Sequence, residues 1–312
     1  MTEKDGERDG EKDEEKDEAK NVRMIHNGSS MILLRGKKEE EAKPVVIHLA
    51  SSVIRAGLAD DERPRVFRAV VGYLKDVPGI LTGVRVGDAA ISNRGKLRMT
   101  YNCIDRGIVR DIDALAHLWH HTFYNELRVN PEEHPVLFTE VPLNPLVKRE
   151  RILGRLFKDF NVPLAAVHVQ DTLALLSHGR TTGCVVHSGS THTRVVPIYE
   201  GSVVPHAIRE LKIGGDDVSS CMRNLLAEER SLSFFTQSEQ LQINRMKEAF
   251  CFVALDFEEA MKPQTAESPA LEKCFELLDG QILTIEHERF RWGAPIQTRS
   301  CNSDDCAFCN PL

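Results

Sequence analysis

Apolar positions along the chain switch between a period of two and a period of three to four, and the switches outline the fold. Ile112, Leu115, Trp119, Phe123 and Leu127 recur at helical spacing behind Asp111, which stands where an N-cap belongs. Pro131 and Pro135 end that helix, and Val136 to Val141 reads as a short buried strand. Asn144-Pro145 offers a cap and first-turn proline for a helix whose apolar face is Ile152, Leu156 and Phe160. Ala165 to Asp171 predicts another buried strand, ending at Gln170. Strand alternating with helix predicts the α/β class.

Two strand–turn–strand units form an internal near-repeat. Val45 to Leu49, the small residues Ala50-Ser51-Ser52 and Val53 to Leu58 make the first. Arg180-Thr181-Thr182-Gly183 opens the second: Cys184 to His187, a turn at Ser188 to Thr191, then His192 to Ile198. The repeat predicts two related lobes. Farther on, Thr236 and Glu239 are spaced as a capping box before Leu241, Met246, Phe250 and Val253. Leu271 to Leu277, Asp279-Gly280 and Gln281 to Ile285 predict a hairpin.

Composition narrows the class. The chain has 312 residues, 41% hydrophobic and 28% charged, enough for two lobes with a sizeable core. Residues 1–20 hold five basic and ten acidic side chains, so −5 of the net −7 sits there and about −2 remains for the rest. That leader reads as disordered, with an acidic lure for basic partners as its functional alternative. Nothing suggests a nucleic-acid surface, and no apolar run suggests a membrane span or secretory signal. Eight scattered cysteines suit reduced cytoplasmic thiols. Met24 to Lys43, with one apolar run at Met31 to Leu34, reads as a linker.

The stretch Trp119 to Pro145, WHHTFYNELRVNPEEHPVLFTEVPLNP, resembles the corresponding segment of conventional actin, and the likeness extends from about Val45 to Arg291. The resemblance implies an actin-like two-lobed α/β fold of ribonuclease-H-like lobes, divergent and with the last third of the family fold missing. On that basis residues 1–43 are leader and linker, 44–177 a first lobe containing a small lobe at 67–97, 178–291 a partial second lobe, and 292–312 a cysteine-containing tail unlike the family. His120, His121 and His134 lie in the matching stretch without zinc-ligand spacing and read as packing and surface histidines.

In actins the two hairpin turns hold nucleotide phosphates, carboxylates position magnesium, and a glutamine orients the attacking water. Mapped onto this chain, the first-loop aspartate position is His48, the glycine positions are Ala50 and Ser52, the serine is kept as Ser51 and the lysine becomes Arg55. A gap-free alignment puts His187 and Ser190 at the second loop's aspartate positions, Thr191 at a glycine and Arg194 at a histidine. A two-residue slip would put His192 at that histidine instead. Gly189 is kept, and Gln170 stands at the water-orienting position. Gly215 matches a ribose-side turn. Lys247 and Glu248 match an adenosine-contacting pair, or are two solvated charges on a helix face. The segment Tyr73 to Val86 is about four residues shorter than its actin counterpart and lacks the familiar filament-contact residues, and Arg106 stands at the methylated-histidine position.

Magnesium prefers oxygen donors, so replacing carboxylates by His48, His187 and Ser190 predicts a degenerate ATPase with Gln170 vestigial. The nucleotide-binding candidates are Ser51, Ser52, Arg55, Gly189, Gly215, Lys247 and Glu248, with weak ATP binding and no required cofactor. Protonated His48 and His187 would strengthen phosphate binding near pH 6. Cys301, Cys306 and Cys309 have zinc-like spacing with only three thiols. The predicted function is a non-polymerising, non-catalytic cytoplasmic and cytoskeletal interaction module, with actin, actin-binding proteins or chaperones as partners. The alternatives are a working ATP-binding filament subunit, or a metal-binding protein using His48, His187 and the cysteine tail.

Overall fold

Alternation buries Val45, Ile47 and Leu49 on one face of a strand and leaves Val46 and His48 half-buried on the other. That strand belongs to a seven-stranded sheet. Its members are β1 (Val22–Asn27), β2 (Ser30–Arg35), β3 (Val45–Leu49), β4 (Val53–Leu58), β5 (Arg65–Arg68), β6 (Val136–Glu140) and β7 (Leu164–Val169), in the order β1-β2-β7-β6-β3-β4-β5. The structure, a computed structural model, describes residues 22–27, 30–35, 42–74, 83–101, 103–257, 272–277 and 279–291. The leader before Val22, the connection at 75–82 and the cysteines Cys301, Cys306 and Cys309 lie outside the described residues.

β3 pairs antiparallel with β4 and parallel with β6, and β6 runs parallel to β7. The parallel steps require crossovers. Helix α1 (Ile112–His120) and the chain after it lead into β6, and α2 (Leu146–Phe160) connects β6 to β7. Leu115, Leu118, Trp119 and Phe123 from the first, and Ile152, Leu153, Leu156 and Phe160 from the second, share one core with Ile47, Val136 and Val167. Trp119 packs edge-on against Phe138 at 5.8 Å and Phe160 at 6.0 Å, an arrangement that suits aromatic quadrupoles.

Several expectations need correction. The apolar stripe predicted one helix to Leu127, but α1 passes at His121 into a π-helical segment, His121–Leu127, closed by Arg128 in the left-handed region. At that junction the Thr122 hydroxyl donates to the Leu118 carbonyl at 2.8 Å, a back-bond that competes with the regular ladder. Asp111 does cap α1, accepting from the amides of Asp113 and Ala114. Asn144 does not cap α2. It donates to Glu140 Oε2 at 2.9 Å, because that carboxylate is buried and needs donors, and Pro145 takes the N-cap position. The strand expected to reach Gln170 ends at Val169, and Gln170 opens helix α3 (Gln170–Leu176).

Part of the segment expected to be a linker forms strand. β1 and β2 pair antiparallel, and β2 pairs antiparallel with β7, Ile32 opposite Ala166. The Asn27-Gly28 dipeptide is a hairpin-turn signal set between them in sequence. The small-lobe segment contributes a separate three-stranded antiparallel sheet of Val84–Val86, Val71–Leu74 and Leu97–Thr100.

The chain divides into two compact units, the first running to His187 and taking back Arg194–Ile208, the second formed by Ser188–Thr193 and the chain from Arg209 on. The division between these units falls inside the second hairpin, β8 (Gly183–Ser188) and β9 (Thr193–Tyr199). The reason is packing: Val196 and Ile198 share an apolar cluster with Leu175 and Val185. In the second unit, α4 (Gly215–Arg230) and α5 (Gln237–Phe250) pack Met222, Leu226, Ile243 and Met246 against Leu283 and Ile285 of the hairpin Lys273–Glu276/Ile282–Ile285. Thr236 and Glu239 form the predicted capping box. Among the described residues no helix is long and apolar enough to cross a membrane.

Candidate functional site

The first hairpin turn is set by β3 and β4. Ala50 donates its amide to Val53 O at 3.0 Å, and the Ser52 carbonyl accepts from the Ala69 amide at 3.0 Å. Ser51 Oγ accepts from the Gly107 amide at 3.3 Å, tying the turn to the loop that carries Arg106. Gly107 has a positive φ of 74°, and a Cβ there would lie 2.1 Å from Val141 Cγ1, so that close approach requires glycine.

His48 sits one residue before the end of β3, opposite Arg55 across the antiparallel pair and beside Thr139 in the parallel one. Its Nδ1 is 2.8 Å from Thr139 Oγ1. Burial, with Arg55 and His187 adding positive charge, lowers its pKa to about 4. His48 is therefore neutral at pH 6, and the idea that its protonation strengthens phosphate binding there is wrong. Desolvation outweighs the usual histidine range.

The same unit contains a group that the sequence reading passed over. Asp171, next to Gln170 at the β7–α3 junction, is 1% exposed, and neither carboxylate oxygen has a hydrogen-bond partner. Burial raises its pKa, while His187 and Arg194 act in the other direction. The signal available in the sequence was a carboxylate directly after the glutamine at a strand end. Gln170 is half-buried and Arg55 exposed.

The second turn belongs to the other unit and closes on backbone. Gly189 donates to His192 O at 2.9 Å, and the carbonyls of Gly189 and Ser190 accept from the amides of Gly215 and Asp216 at 3.0 and 2.7 Å. Thr193 Oγ1 pairs with Ser188 Oγ and donates to Ile213 O, both at 2.9 Å. Asp217 Oδ2 accepts from the Gly214 amide at 2.8 Å, capping α4. A Cβ on Gly214 would lie 2.5 Å from Ser190 O, so the loop and the helix start can meet only through glycine.

The structure thus brings Gly189, Gly215 and Lys247 together. Lys247 Nζ donates to Gly215 O at 2.8 Å and to Ser219 Oγ at 2.9 Å, anchoring α5 on the first turn of α4. Glu248, its neighbour in sequence, is exposed. Ser51, Ser52, Arg55 and Gln170 lie in the first unit.

His48, His187 and Ser190 each lack the anionic oxygen that a magnesium ion prefers. His48 presents a neutral nitrogen engaged with Thr139, and His187 and Ser190 supply no anionic oxygen. Among the described residues no group of three or more His, Cys, Asp or Glu could hold a metal ion. His121 and His134 pair instead with Glu126 Oε1 at 3.1 Å and Lys43 O at 2.8 Å.

A family model described as Actin matches residues 39–295, most of the chain.

Proposed function

We propose that this chain, which belongs to the actin family, is a non-catalytic, non-polymerising member that serves as a cytoskeletal interaction module in the cytoplasm and binds ATP at most weakly. One observation carries the reading: His48, in place of a first-loop carboxylate, is held neutral and hydrogen-bonded to Thr139. Hydrolysis in this reading lacks its held cation and oriented water together, and a glutamine alone contributes little without the charge stabilisation it works beside. Weak ATP contact falls to Arg55, the exposed cation beside the first loop. The shortened small-lobe connection argues against filament growth, and candidate partners are actin itself, actin-binding proteins and chaperones.

A working ATPase is the second reading, favoured by Asp171, a buried carboxylate adjoining Gln170. One experiment separates the two. Purified protein with Mg²⁺ and ATP should release phosphate at background rate and stay in the supernatant on sedimentation across a salt and concentration series. Turnover that Gln170→Ala or Asp171→Asn abolishes, or reversible salt-dependent pelleting, overturns the first reading.

A further inference from the structure

A cavity of about 660 Å³, with no residue of either hairpin turn in its lining, opens in the first unit between α1 with its π-helical continuation, the strand Val84–Val86 and the end of α2. Small-molecule sites commonly span roughly 300–1,000 Å³, mostly apolar with a few placed polar groups. This one has that make-up. Val84, Val86, Ala89 and Phe160 supply the apolar part of the lining, and Arg85, exposed and with Nη1 donating to Val84 O at 3.1 Å, adds a permanent cation. His117, His120, His121 and Tyr124 recur at i, i+3, i+4 and i+7, so a single helical stripe supplies another part of the lining.

The imidazoles are held in place by aromatic neighbours. His117 packs edge-on against Tyr73 at 5.7 Å, His121 against Phe67 at 5.0 Å, and His120 lies 4.6 Å from Tyr124. Burial and, after it, His120 lower the pKa of His117. The cavity's one carboxylate, Asp159, is already paired with Arg155 at 2.9 Å, and His121 is paired with Glu126. The lining is therefore donor-rich and weakly cationic beside its apolar part. A second feature points the same way: the wall from His121 to Leu127 is π-helical, a distortion that costs hydrogen-bond regularity and is often found at ligand sites.

We propose that this cavity binds a small organic monocarboxylate, its carboxylate on Arg85 and the imidazole edges and its hydrocarbon body against Val84, Val86, Ala89 and Phe160. The site is independent of the hairpin turns, so its presence or absence leaves the nucleotide reading untouched. A metal ion is a poor alternative, since no metal-holding cluster occurs among the described residues. Bare phosphate would leave the apolar part of the lining uncovered.

The test is calorimetric titration of the full chain with octanoate, with octanol and acetate as probes that keep only the body or only the charge. Octanoate should bind about tenfold or more tightly than either, a difference that rests on charge-assisted bonds added to apolar burial. Arg85→Gln, at an exposed position, should remove most of that advantage, and Ala116→Phe should fill the cavity and abolish binding. Equal binding of octanoate and octanol, an unchanged octanoate affinity in Arg85→Gln, or no octanoate binding by the folded wild-type chain would each overturn the assignment.

Discussion

The two hairpin turns are held in shape by different means. The second is closed by main chain: the Gly189 and Ser190 carbonyls receive the first amides of α4, and Gly214 lets the backbones touch. The first depends on side chains as well, with His48 on Thr139 and Ser51 on the Gly107 amide. Ser188 and Thr193 add side-chain bonds to the second turn, but its contacts with α4 run through main chain. In the first hairpin the His48 imidazole is itself a structural contact, since a half-buried imidazole needs a partner.

The largest effect should come from attacking the main-chain closure. Gly214→Ala would put a Cβ 2.5 Å from Ser190 O and 2.6 Å from His192 N, both backbone atoms that cannot swing away. Forced overpacking of this kind costs about 3 kcal/mol. Urea denaturation of the variant should show the loss, together with faster amide exchange at Gly215 and Asp216. A variant as stable as the parent would mean that the loop and α4 are not in contact.

How much of this was legible beforehand differs between the two regions. Periodicity showed that β3, β4, β8 and β9 exist, because each alternates or forms a short apolar run. It could not show that Thr139 stands beside His48, which depends on the parallel register of β6 with β3. Gly214 read as one glycine of a turn, and only the tertiary approach of Ser190 reveals why a side chain is excluded there. Asp171 stayed invisible while the strand was thought to include it. Ending the strand at Val169 puts Asp171 inside a helix start, buried and without hydrogen-bond partners. The β1–β2 hairpin was obscured by the charged residues around it.

A smaller effect should follow from pH. The pKa of His48 falls from 6.5 to about 4 on folding, so the unfolded chain takes up a proton between those values and the folded chain does not. Its contribution to stability is complete above pH 6.5 and is lost as pH falls toward 4. Allowing for solvent screening of a half-buried group, the loss is about 2 kcal/mol. Asp171 has the opposite sign: with its pKa raised, it favours folding at low pH and opposes it as pH rises through the folded value. Comparing His48→Gln with wild type isolates the histidine, since Asp171 is common to both. Thermal melts from pH 7 to pH 4 should show a shallower decline in the variant. Parallel curves would place His48 in a solvated setting and remove its structural role.

The smallest effect tests the side-chain tether of the first loop. Ser51→Ala deletes the acceptor of the Gly107 amide, a contact that at 3.3 Å is long for its kind and only part-buried. Water can replace a part-buried acceptor, so the expected cost is about 0.5 kcal/mol, the low end for a net hydrogen bond. The informative readout is local. Exchange of the Gly107 amide should quicken while that of Ala50, bonded to Val53 O, stays unchanged, because the hairpin survives without the tether. If Ala50 exchange quickens equally, the serine holds the turn itself, and the contrast between a side-chain-tethered first loop and a backbone-closed second loop becomes deeper than the two sets of hydrogen bonds imply.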